Sequence, residues 1–423
     1  MSILGNRVLR REDPALITGQ GAYLADLRLA ELEGAVTVAF VRSPIAHAVI
    51  ESIDVSEALE MPGVLAVYTA AELDLPAPRK RLPWIPDEFV RPWIATDRVR
   101  FVGEVVAVVV TETAAQAEDA IEMVIVDYEP LEAVVDPIDA LADGAPLLFE
   151  SFGSNLACTF ESELADGEVA ADLFAGCEVV VEADLVNQRL AAVPLEGRAT
   201  AATWIDGRPT VWISCQGVHG ARNFLAGGLG IDRNEMRVVA PDVGGGFGAK
   251  ITPYAEDLLV VWVSRQLERP AKWVESRGEN LMAMGHGRDQ RHHVRIGGRR
   301  DGRVTAYQLD VIANAGAYPT MGAFLPTFTR LMAPGTYDIA NVETRASVVV
   351  TNTMSIEAYR GAGRPEATAA IERAMDLFAA EVGLDPVEVR RINLLPAHPM
   401  PITTVTGAVY DAGDYEGALD AVL

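Results

Sequence analysis

The chain has 423 residues, more than the roughly 250–300 at which a single hydrophobic core stops growing, so we expect at least two domains. Half of the residues are hydrophobic and 22% are charged, which indicates a globular protein rather than a disordered one. The formal net charge of -25 argues against nucleic acid as a partner, because phosphates need a basic face; it does not by itself indicate a metal site, because acidic surfaces commonly serve solubility.

The cysteine content and the lengths of the apolar runs indicate in which cellular compartment the protein is expected. Cys158, Cys177 and Cys215 form no Cys-x-x-Cys pair, so neither an iron–sulfur cluster nor a structural zinc site is expected from them. An odd, sparse set of thiols favours a cytoplasmic protein. The first residues lack the apolar core of a signal peptide. The longest apolar runs, such as Val105–Val110, are far shorter than the ~20 residues of a membrane span, so no span is expected.

The first third of the chain alternates strands with a helix. The hydrophobic runs GAVTVAFVRSP, GVLAVYT and EVVAVVVTET each predict a strand. A helix is expected directly afterwards, with Thr113 as its N-cap and Gln116 completing a capping box. The run MVIVDYEPL then predicts a returning strand. This pattern indicates a compact α+β domain over residues 1–140 and a linker, rich in turn-forming residues, over 141–155.

The longer second segment contains two predicted hairpins, whose turns are marked by Asp206-Gly207 and Asp301-Gly302. Between them, the sequence predicts a strand that runs into a glycine-rich loop, a helix over Ala255–Leu267 and a strand at KWVES. Near the end, a glycine-rich turn precedes a helix, with Pro365 suited to its first position. The apolar stripe of this helix has spacings of four, three and four residues and consists of Ile371, Met375, Phe378 and Val382.

The first motif is the glycine-rich loop Gly244–Lys250, of sequence GGGFGAK, which follows a predicted strand. Consecutive glycines let a backbone approach a ligand closely and present its N–H groups, so such a loop can hold an anion. The loop is not a Walker loop, because Ala249 precedes Lys250 and Ile251 follows it. It is one residue too short for a Rossmann fingerprint. An ordinary tight turn is the alternative.

The second motif is AYRGAGRP, in which Arg360 and Arg364 flank glycines before a helix. Arginine offers a two-pronged fork to phosphate oxygens, so this turn is a candidate phosphate or pyrophosphate clamp. A solvated turn before a helix is the alternative.

The third motif is SCQGVH, in which Gln216 follows a strand. Its amide could donate to an oxo or sulfido ligand or to a carbonyl, or could simply hydrogen-bond at the strand end. In contrast, His292 and His293 are neighbours in a predicted strand and point to opposite faces, so they are not expected to bind one metal ion.

These motifs, in this order, resemble the molybdenum hydroxylases, which include xanthine dehydrogenase, aldehyde oxidase, isoquinoline and nicotinate-type dehydrogenases and the CO dehydrogenase large subunit. GNRVLRREDPALITGQGAYLADL and FVGEVVAVVV are similar to that family's α/β hammerhead domain. AVPLEGRATAA, PDVGGGFGAK, the AYRGAGRP helix and TGAVYDAGDY are similar to its first molybdopterin-binding domain. The resemblance implies an α+β fold, with a hammerhead domain over 1–140 and a mixed α+β molybdopterin-binding domain over 156–400. Residues 401–423 would begin the connection to a second molybdopterin-binding domain.

The resemblance also implies which residues bind the cofactor. Gln216 would lie next to the molybdenum ligands, and Phe247 and Gly248 beside the apical oxo group of the metal. Arg360 would approach the phosphate side of the pterin. No side chain of this chain would bind the metal directly. The full implied set is Gln216, Gly245, Gly246, Phe247, Gly248, Arg360 and Gly361.

Two positions depart from particular members of the family. Copper-containing CO dehydrogenases carry a cysteine directly after AYR, where this chain has Gly361, so a copper-bridged CO oxidase is not expected. Purine-oxidising members carry an acidic residue after the loop lysine, where this chain has Ile251. That difference favours a substrate less polar than xanthine.

The family's general-base glutamate lies in the second molybdopterin-binding domain, which no part of this sequence resembles. We therefore expect no catalytic base here, and a partner chain that supplies that domain, besides a [2Fe-2S] subunit and an FAD subunit. The expected cofactor is molybdenum–molybdopterin, in the cytosine or another dinucleotide form. The expected reaction oxidises a small aldehyde or N-heteroaromatic substrate with oxygen from water, and the chain is expected to be inactive alone. The alternative is a non-catalytic cofactor-binding or scaffold protein, or a truncated inactive fragment.

Overall fold

The computed structural model describes residues 4–162 and 172–423, and its largest element is a seven-stranded mixed sheet. The valine-rich strand Val105–Thr111 is buried along its whole length, because its alternate side chains enter hydrophobic clusters on both faces of the sheet. From one edge to the other, the strands are Arg237–Val239, Arg208–Ile213, Ala199–Ile205, Ala271–Val274, Val36–Arg42, Val105–Thr111 and Val64–Tyr68.

A five-stranded sheet has a hydrophobic core of its own. One of its faces packs against the long helix Arg364–Val382. The predicted apolar stripe of this helix is confirmed, since Ile371, Met375 and Phe378 are fully buried and Val382 packs against the same cluster. In spatial order, the strands of this sheet are Leu156–Glu161, Asn341–Val350, Val304–Gly316, Gln290–Gly298 and Val179–Asn187.

The remaining strands and the helices complete the described part of the chain. A three-stranded sheet contains Arg98–Val99, Ala48–Asp54 and Ile125–Pro130, and two-stranded sheets pair Leu190–Ala191 with His286–Gly287 and Ile402–Thr403 with Val409–Tyr410. The α-helices are Asp13–Ile17, Ser56–Glu60, Ala114–Ile121, Val218–Leu229, Ala255–Leu267, Arg277–Ala283, Leu325–Leu331, Arg364–Val382, Pro386–Asn393 and Tyr415–Val422. Short 3₁₀ helices are Leu24–Asp26, Ala30–Leu32, Ala70–Glu72, Asp87–Phe89, Asp139–Leu141, Arg233–Glu235 and Met321–Ala323. None of the helices within residues 4–162 and 172–423 has the length and hydropathy to cross a bilayer.

Predictions from local sequence signals were confirmed where the turn residues or the hydrophobic periodicity were clear. Both hairpins form around the predicted turns, and the helix Ala255–Leu267 has the predicted bounds. Two details were wrong. Thr113 caps its helix through Gln116 N–H, but the Gln116 side chain accepts from the Thr113 hydroxyl instead of closing a capping box. Pro365 occupies the second helical position, because Gly363 is the N-cap.

The two sequence segments share one sheet. Strand Val36–Arg42 of the first segment pairs in parallel with Ala271–Val274 of the second, so strands from both sides of the predicted linker are hydrogen-bonded neighbours. The sequence indicated two successive α+β units but contained no signal for this pairing, because it joins residues more than 200 positions apart.

Buried ion pairs reinforce that junction. Arg42 lies 2.9 Å from Glu256 and 3.1 Å from Glu279, while Arg198 lies 3.3 Å from Glu256 and also pairs with Glu275. Burial alone would raise the pKa of Glu256, but Arg198 and Arg42 together lower it below its usual range. The network therefore depends on both arginines being present around one fully buried carboxylate.

We predict that Glu256→Gln destabilises the chain by about 3–5 kcal/mol, because it leaves two buried guanidinium groups without their shared anion. Because the folded-state pKa of Glu256 is lowered, its stabilisation is present above the pKa of an unfolded glutamate and disappears as the pH falls through the folded value. Urea titrations at pH 7 and at acid pH should show a difference from the unsubstituted chain that shrinks on acidification. Glu112→Gln, which breaks a surface pair with Arg269, is the control and should change little. Equal effects of the two substitutions would contradict the prediction.

Candidate functional site

Strand direction brings three loops to one edge of the seven-stranded sheet, namely the edge formed by the C-terminal ends of strands Arg208–Ile213 and Arg237–Val239. Strands Arg208–Ile213 and Arg237–Val239 are parallel, so the segments that follow them, which contain Gln216 and the glycine-rich loop, leave at the same edge. Strand Ala199–Ile205 is antiparallel to them and begins there, shortly after Glu196. The edge thus collects segments that are distant in sequence.

Two glycines of the loop have a backbone conformation that other residues rarely adopt. Gly245 and Gly248 have φ angles of +102° and +103°. A Cβ atom on Gly248 would lie 2.5 Å from the carbonyl oxygen of Ala358, and one on Gly246 would lie 2.6 Å from Gln216 Oε1. Phe247, between them, has a φ of +52° and a side chain that is 41% exposed. The glycines therefore permit close approach of two neighbouring segments, as well as the turn itself.

Gln216 is fixed by the loop through its carbonyl oxygen. Its Oε1 accepts hydrogen bonds from the N–H groups of Gly248, at 2.7 Å, and Lys250, at 3.3 Å. Because both partners are donors, the amide orientation is defined: the oxygen faces the loop and Nε2 faces away from it. Nε2 has no hydrogen-bond acceptor within the described residues and remains a donor for a ligand.

Backbone donors of the loop are also unspent. The N–H groups of Gly245, Gly246 and Phe247 have no acceptor in residues 4–162 and 172–423, whereas that of Gly244 donates to Glu196 Oε2 at 2.8 Å. Successive unpaired N–H groups form a concave, electropositive surface suited to oxygen-rich anionic groups. Together with Gln216 Nε2, they make the loop rich in donors.

A buried polar cluster supports the loop from below, and sequence analysis did not identify it as part of the site. Lys250 Nζ donates to Ser214 Oγ and to the Glu196 carbonyl oxygen, each at 2.8 Å, and lies 3.3 Å from Glu196 Oε2. Ser214 Oγ donates to the same carboxylate. Burial lowers the pKa of Lys250, against the opposing charge of Glu196. The segment AVPLEGRATAA contained Glu196, but nothing local indicated its partner 54 residues later.

Arg360 lies directly beside the glycine-rich loop. Its N–H donates to the Phe247 carbonyl oxygen at 2.8 Å, and its own carbonyl accepts from Arg288 at 2.8 Å. The backbone is thus held from two sides, while the exposed guanidinium of Arg360 forms no hydrogen bond or ion pair with any described residue. Gly361 follows with a φ of +108°, and a Cβ there would lie 2.2 Å from Pro365 Cγ.

The second arginine of the AYRGAGRP turn has a different environment. Arg364 stacks on the Phe328 ring at 4.3 Å and approaches the carbonyl oxygens of Gly361 and Ala362. It braces the turn, so the predicted two-arginine clamp has one free member, Arg360. The histidine pair lies elsewhere: His292 is buried and His293 binds Asp184 on the opposite face of its strand. Within the described residues no group of three His, Cys, Asp or Glu side chains is placed to hold a metal ion.

The described edge therefore brings together the seven residues that the family resemblance implied for cofactor binding: Gln216, Gly245, Gly246, Phe247, Gly248, Arg360 and Gly361. This edge offers N–H donors and one guanidinium that have no partner among the described residues. The carboxylate of Glu196 is held beneath the loop. Such a surface is suited to hydrogen-bonding the oxygens of anionic groups such as phosphates.

Two models of known protein domains match the chain. Residues 149–394 match the molybdopterin cofactor-binding domain, and residues 18–132 match the a/b hammerhead domain of aldehyde oxidase and xanthine dehydrogenase. The chain belongs to the molybdenum hydroxylase family, as a large-subunit sequence of the xanthine dehydrogenase and aldehyde oxidase type.

Individual relatives agree with this assignment. The nicotine 6-hydroxylase large subunit of Paenarthrobacter nicotinovorans is 35% identical over 430 aligned positions, which cover 100% of this chain and 52% of the relative. The crystal structure of quinoline 2-oxidoreductase from Pseudomonas putida 86 superposes with a TM-score of 0.90 at 33% identity, covering 99% of this chain and 54% of that one. The chain thus spans about half the length of these relatives. The nicotinate dehydrogenase large molybdopterin subunit of Eubacterium barkeri is 29% identical, with coverage of 97% and 92%.

We predict that Gly248→Ala lowers the stability of the chain by about 1–3 kcal/mol, because it forces a side chain into a left-handed conformation and against the Ala358 carbonyl. Gly227→Ala is the matched control. Gly227 is helical, and no atom lies within 4 Å of the position that a methyl group there would take, so alanine should be neutral or stabilising by about 0.5–1 kcal/mol. Thermal midpoints of the two variants measure the contrast, and a Gly248→Ala midpoint equal to that of Gly227→Ala would refute it.

Proposed function

We propose that this edge of the sheet forms one side of a molybdenum–molybdopterin site. The observation that carries the proposal is the convergence of unspent donors: three successive loop N–H groups, Gln216 Nε2 and the Arg360 guanidinium. A pterin dinucleotide with its phosphates offers many oxygen acceptors, so the residues present fit the group. When bound, the molybdenum group would supply the redox chemistry, and the oxygen would come from water.

Each residue has a defined task in this proposal. Gln216 would donate from Nε2 to a ligand of the metal, since its oxygen is already held by the loop. Gly245 and Gly246 would present their N–H groups, and Phe247 would exclude water beside them. Arg360 would bind the phosphate side of the cofactor with its free guanidinium. The protein supplies position and electrostatics, and the cofactor supplies the chemistry.

We place the general base outside this sequence, in a second molybdopterin-binding domain. The site's own carboxylate, Glu196, is engaged by Lys250, Ser214 and Gly244 beneath the loop and does not face the donors. Exposed apolar side chains border the loop, including Leu195 at 94% and Ile251 at 48% exposure, and offer a surface for that domain. Electrons would leave through a [2Fe-2S] subunit and an FAD subunit.

The proposed reaction is oxidation of a small aldehyde or an N-heteroaromatic compound. Relatives whose names include nicotine 6-hydroxylase and quinoline 2-oxidoreductase support the heteroaromatic class. Ile251 presents an apolar side chain next to the loop and favours a substrate less polar than a purine. Gly361 offers no thiol for a copper ion. We propose a cytoplasmic location, in keeping with three cysteines that form no disulfide.

A cofactor-site role for Arg360 predicts a specific pattern of losses. Arg360→Ala should lower the affinity of the assembled complex for the cofactor by about 10- to 100-fold, because a charge-assisted contact contributes roughly 1.5–3 kcal/mol. The molybdenum occupancy should fall accordingly. Gln216→Ala should keep the metal but slow turnover. Molybdenum per folded complex and the rate with a standard substrate are the two measurements.

Arg233→Ala is the control for Arg360→Ala, because Arg233 is an exposed arginine that forms no ion pair or side-chain hydrogen bond in the described part of the chain. Full occupancy and full rate for both Arg360→Ala and Gln216→Ala would end the cofactor-site proposal. Normal occupancy with no turnover in any assembly would favour a cofactor-binding scaffold instead.

We also predict that the 423-residue chain alone turns over neither aldehydes nor N-heterocycles, even with an artificial electron acceptor. The proposed base and the electron carriers lie outside it. Co-expression with a second molybdopterin-binding domain should restore turnover and raise the soluble yield, since the apolar border of the loop would be covered. Activity of the purified chain by itself would contradict the proposal that other domains or subunits supply the base and the electron carriers.

A further inference from the structure

An open groove lies at the free edge of the seven-stranded sheet, where the helix Val218–Leu229 meets the edge strand Arg237–Val239. Its volume is about 340 Å³, compared with about 30 Å³ for one molecule of liquid water, so a small organic molecule has room to bind there. In the described chain, none of the seven residues assigned to the cofactor site lines this groove. We name it the Arg222 groove.

The charged side chains that line the Arg222 groove are basic. Arg208, Arg222 and Arg237 line it together with His219, and no carboxylate does so among the described residues. None of the three arginines forms an ion pair with any residue in 4–162 or 172–423, although the whole chain carries a net charge of -25. Positive charges that share a groove repel one another, and a bound anion would offset that repulsion.

Arg222 carries a charge that the protein leaves without a partner. The side chain is half-buried, forms no hydrogen bond in the described part of the chain, and has its Nε fully covered by protein. Partial burial of an unpaired charge costs free energy, which an anion held by the terminal nitrogens would offset. Arg208 is already positioned, because its Nε and Nη2 donate to the carbonyl oxygens of Glu235 and Asn234, at 3.5 and 3.2 Å. Its Nη1 has no acceptor among the described residues.

The helix begins at the groove with unpaired N–H groups. Its N-cap is Gly217, which has no side chain to cap it, and the N–H groups of Val218, His219 and Gly220 have no acceptor within residues 4–162 and 172–423. Val218 and His219 line the groove themselves. The positive end of this 12-residue helix therefore adds to the charge of the arginines.

We propose that the Arg222 groove binds a phosphate monoester that carries a small apolar group. The phosphate would accept hydrogen bonds from the terminal nitrogens of Arg222 and Arg237 and from the unpaired N–H groups at the start of the helix. The apolar group would lie against Val218, Met236 and Val238, which are the apolar residues that line the groove. A doubly charged phosphate matches several arginines better than a single carboxylate does.

A small molecule fits this surface better than a protein segment does. The edge strand Arg237–Val239 is only three residues long, so an added strand would form few backbone hydrogen bonds with it. The site needs no molybdenum and shares no residue with the proposed cofactor site, so each proposal can be tested without the other.

Three probes separate the contributions of charge and apolar contact by isothermal titration calorimetry on the full chain. Phenyl phosphate carries both a phosphate and a ring, inorganic phosphate lacks the ring, and benzoate has the ring with a single negative charge. We expect phenyl phosphate to bind about 10-fold more tightly than benzoate and about threefold more tightly than inorganic phosphate. No binding of phenyl phosphate, or an affinity equal to that of benzoate, would overturn the proposal.

Substitutions locate the bound phosphate. Arg222→Gln should weaken the binding of phenyl phosphate by about 10-fold and Arg237→Gln by about threefold, since Arg237 is the more exposed of the two. Arg233→Gln is the matched control, because it removes one exposed charge from the same connection and Arg233 does not line the groove. Arg360→Ala tests the cofactor loops as another place for the phosphate. Neither Arg233→Gln nor Arg360→Ala should change the affinity.

Three results with these variants would contradict the proposal. Equal losses in Arg237→Gln and Arg233→Gln would indicate general charge attraction only. A loss in Arg360→Ala alone would place the phosphate at the cofactor loops and leave the proposed cofactor site intact. Hexaglutamate, titrated as a fourth probe, would identify a protein-docking surface if it bound more tightly than phenyl phosphate and lost affinity in the Arg222 and Arg237 variants. If Arg222→Gln fails to fold, the contrast between Arg237→Gln and Arg233→Gln still decides the outcome.

Discussion

The structure depends on one buried carboxylate, Glu256, held between Arg42 and Arg198. These charges could not be buried singly, because removing an ion from water costs several kcal/mol that only close opposite charges offset. Arg42 ends one strand of the seven-stranded sheet and Arg198 directly precedes another, at the edge where the functional loops leave. The ion pairs therefore fix the relative positions of strands from both sequence segments, and the loops inherit that arrangement.

The polar groups of the proposed site lie at decreasing depth, from buried ion pairs to N–H donors at the surface. Arg198 and Glu275 lie deepest, the Glu196–Lys250 pair comes next, and the glycine-rich loop lies at the surface. Glu196 accepts a hydrogen bond from the Gly244 N–H of the loop, whereas the N–H groups of Gly245, Gly246 and Phe247 have no protein acceptor in the described chain. Donors held in this way would need little rearrangement to bind an oxygen-rich ligand.

Sequence alone predicted the elements whose signals are local. The turn at Asp206-Gly207 and the periodic helix Ala255–Leu267 were correct because their causes lie within a few residues. The helix Val218–Leu229 was not predicted, since its three internal glycines weaken any helical signal and tertiary packing forms it. At the proposed site, a motif singled out Gln216, but the direction of its amide and the pairing of Lys250 with Glu196 depend on residues distant in sequence. No spacing rule encodes them.

The parallel pairing of Val36–Arg42 with Ala271–Val274 also bears on the order of assembly during synthesis. A ribosome makes the chain from its N-terminus, so the early strand emerges with one side of its backbone unpaired and waits for more than 200 further residues. Until then, a valine-rich edge is open to pairing with other chains. The seven-stranded sheet can therefore close only after Ala271–Val274 has been synthesised.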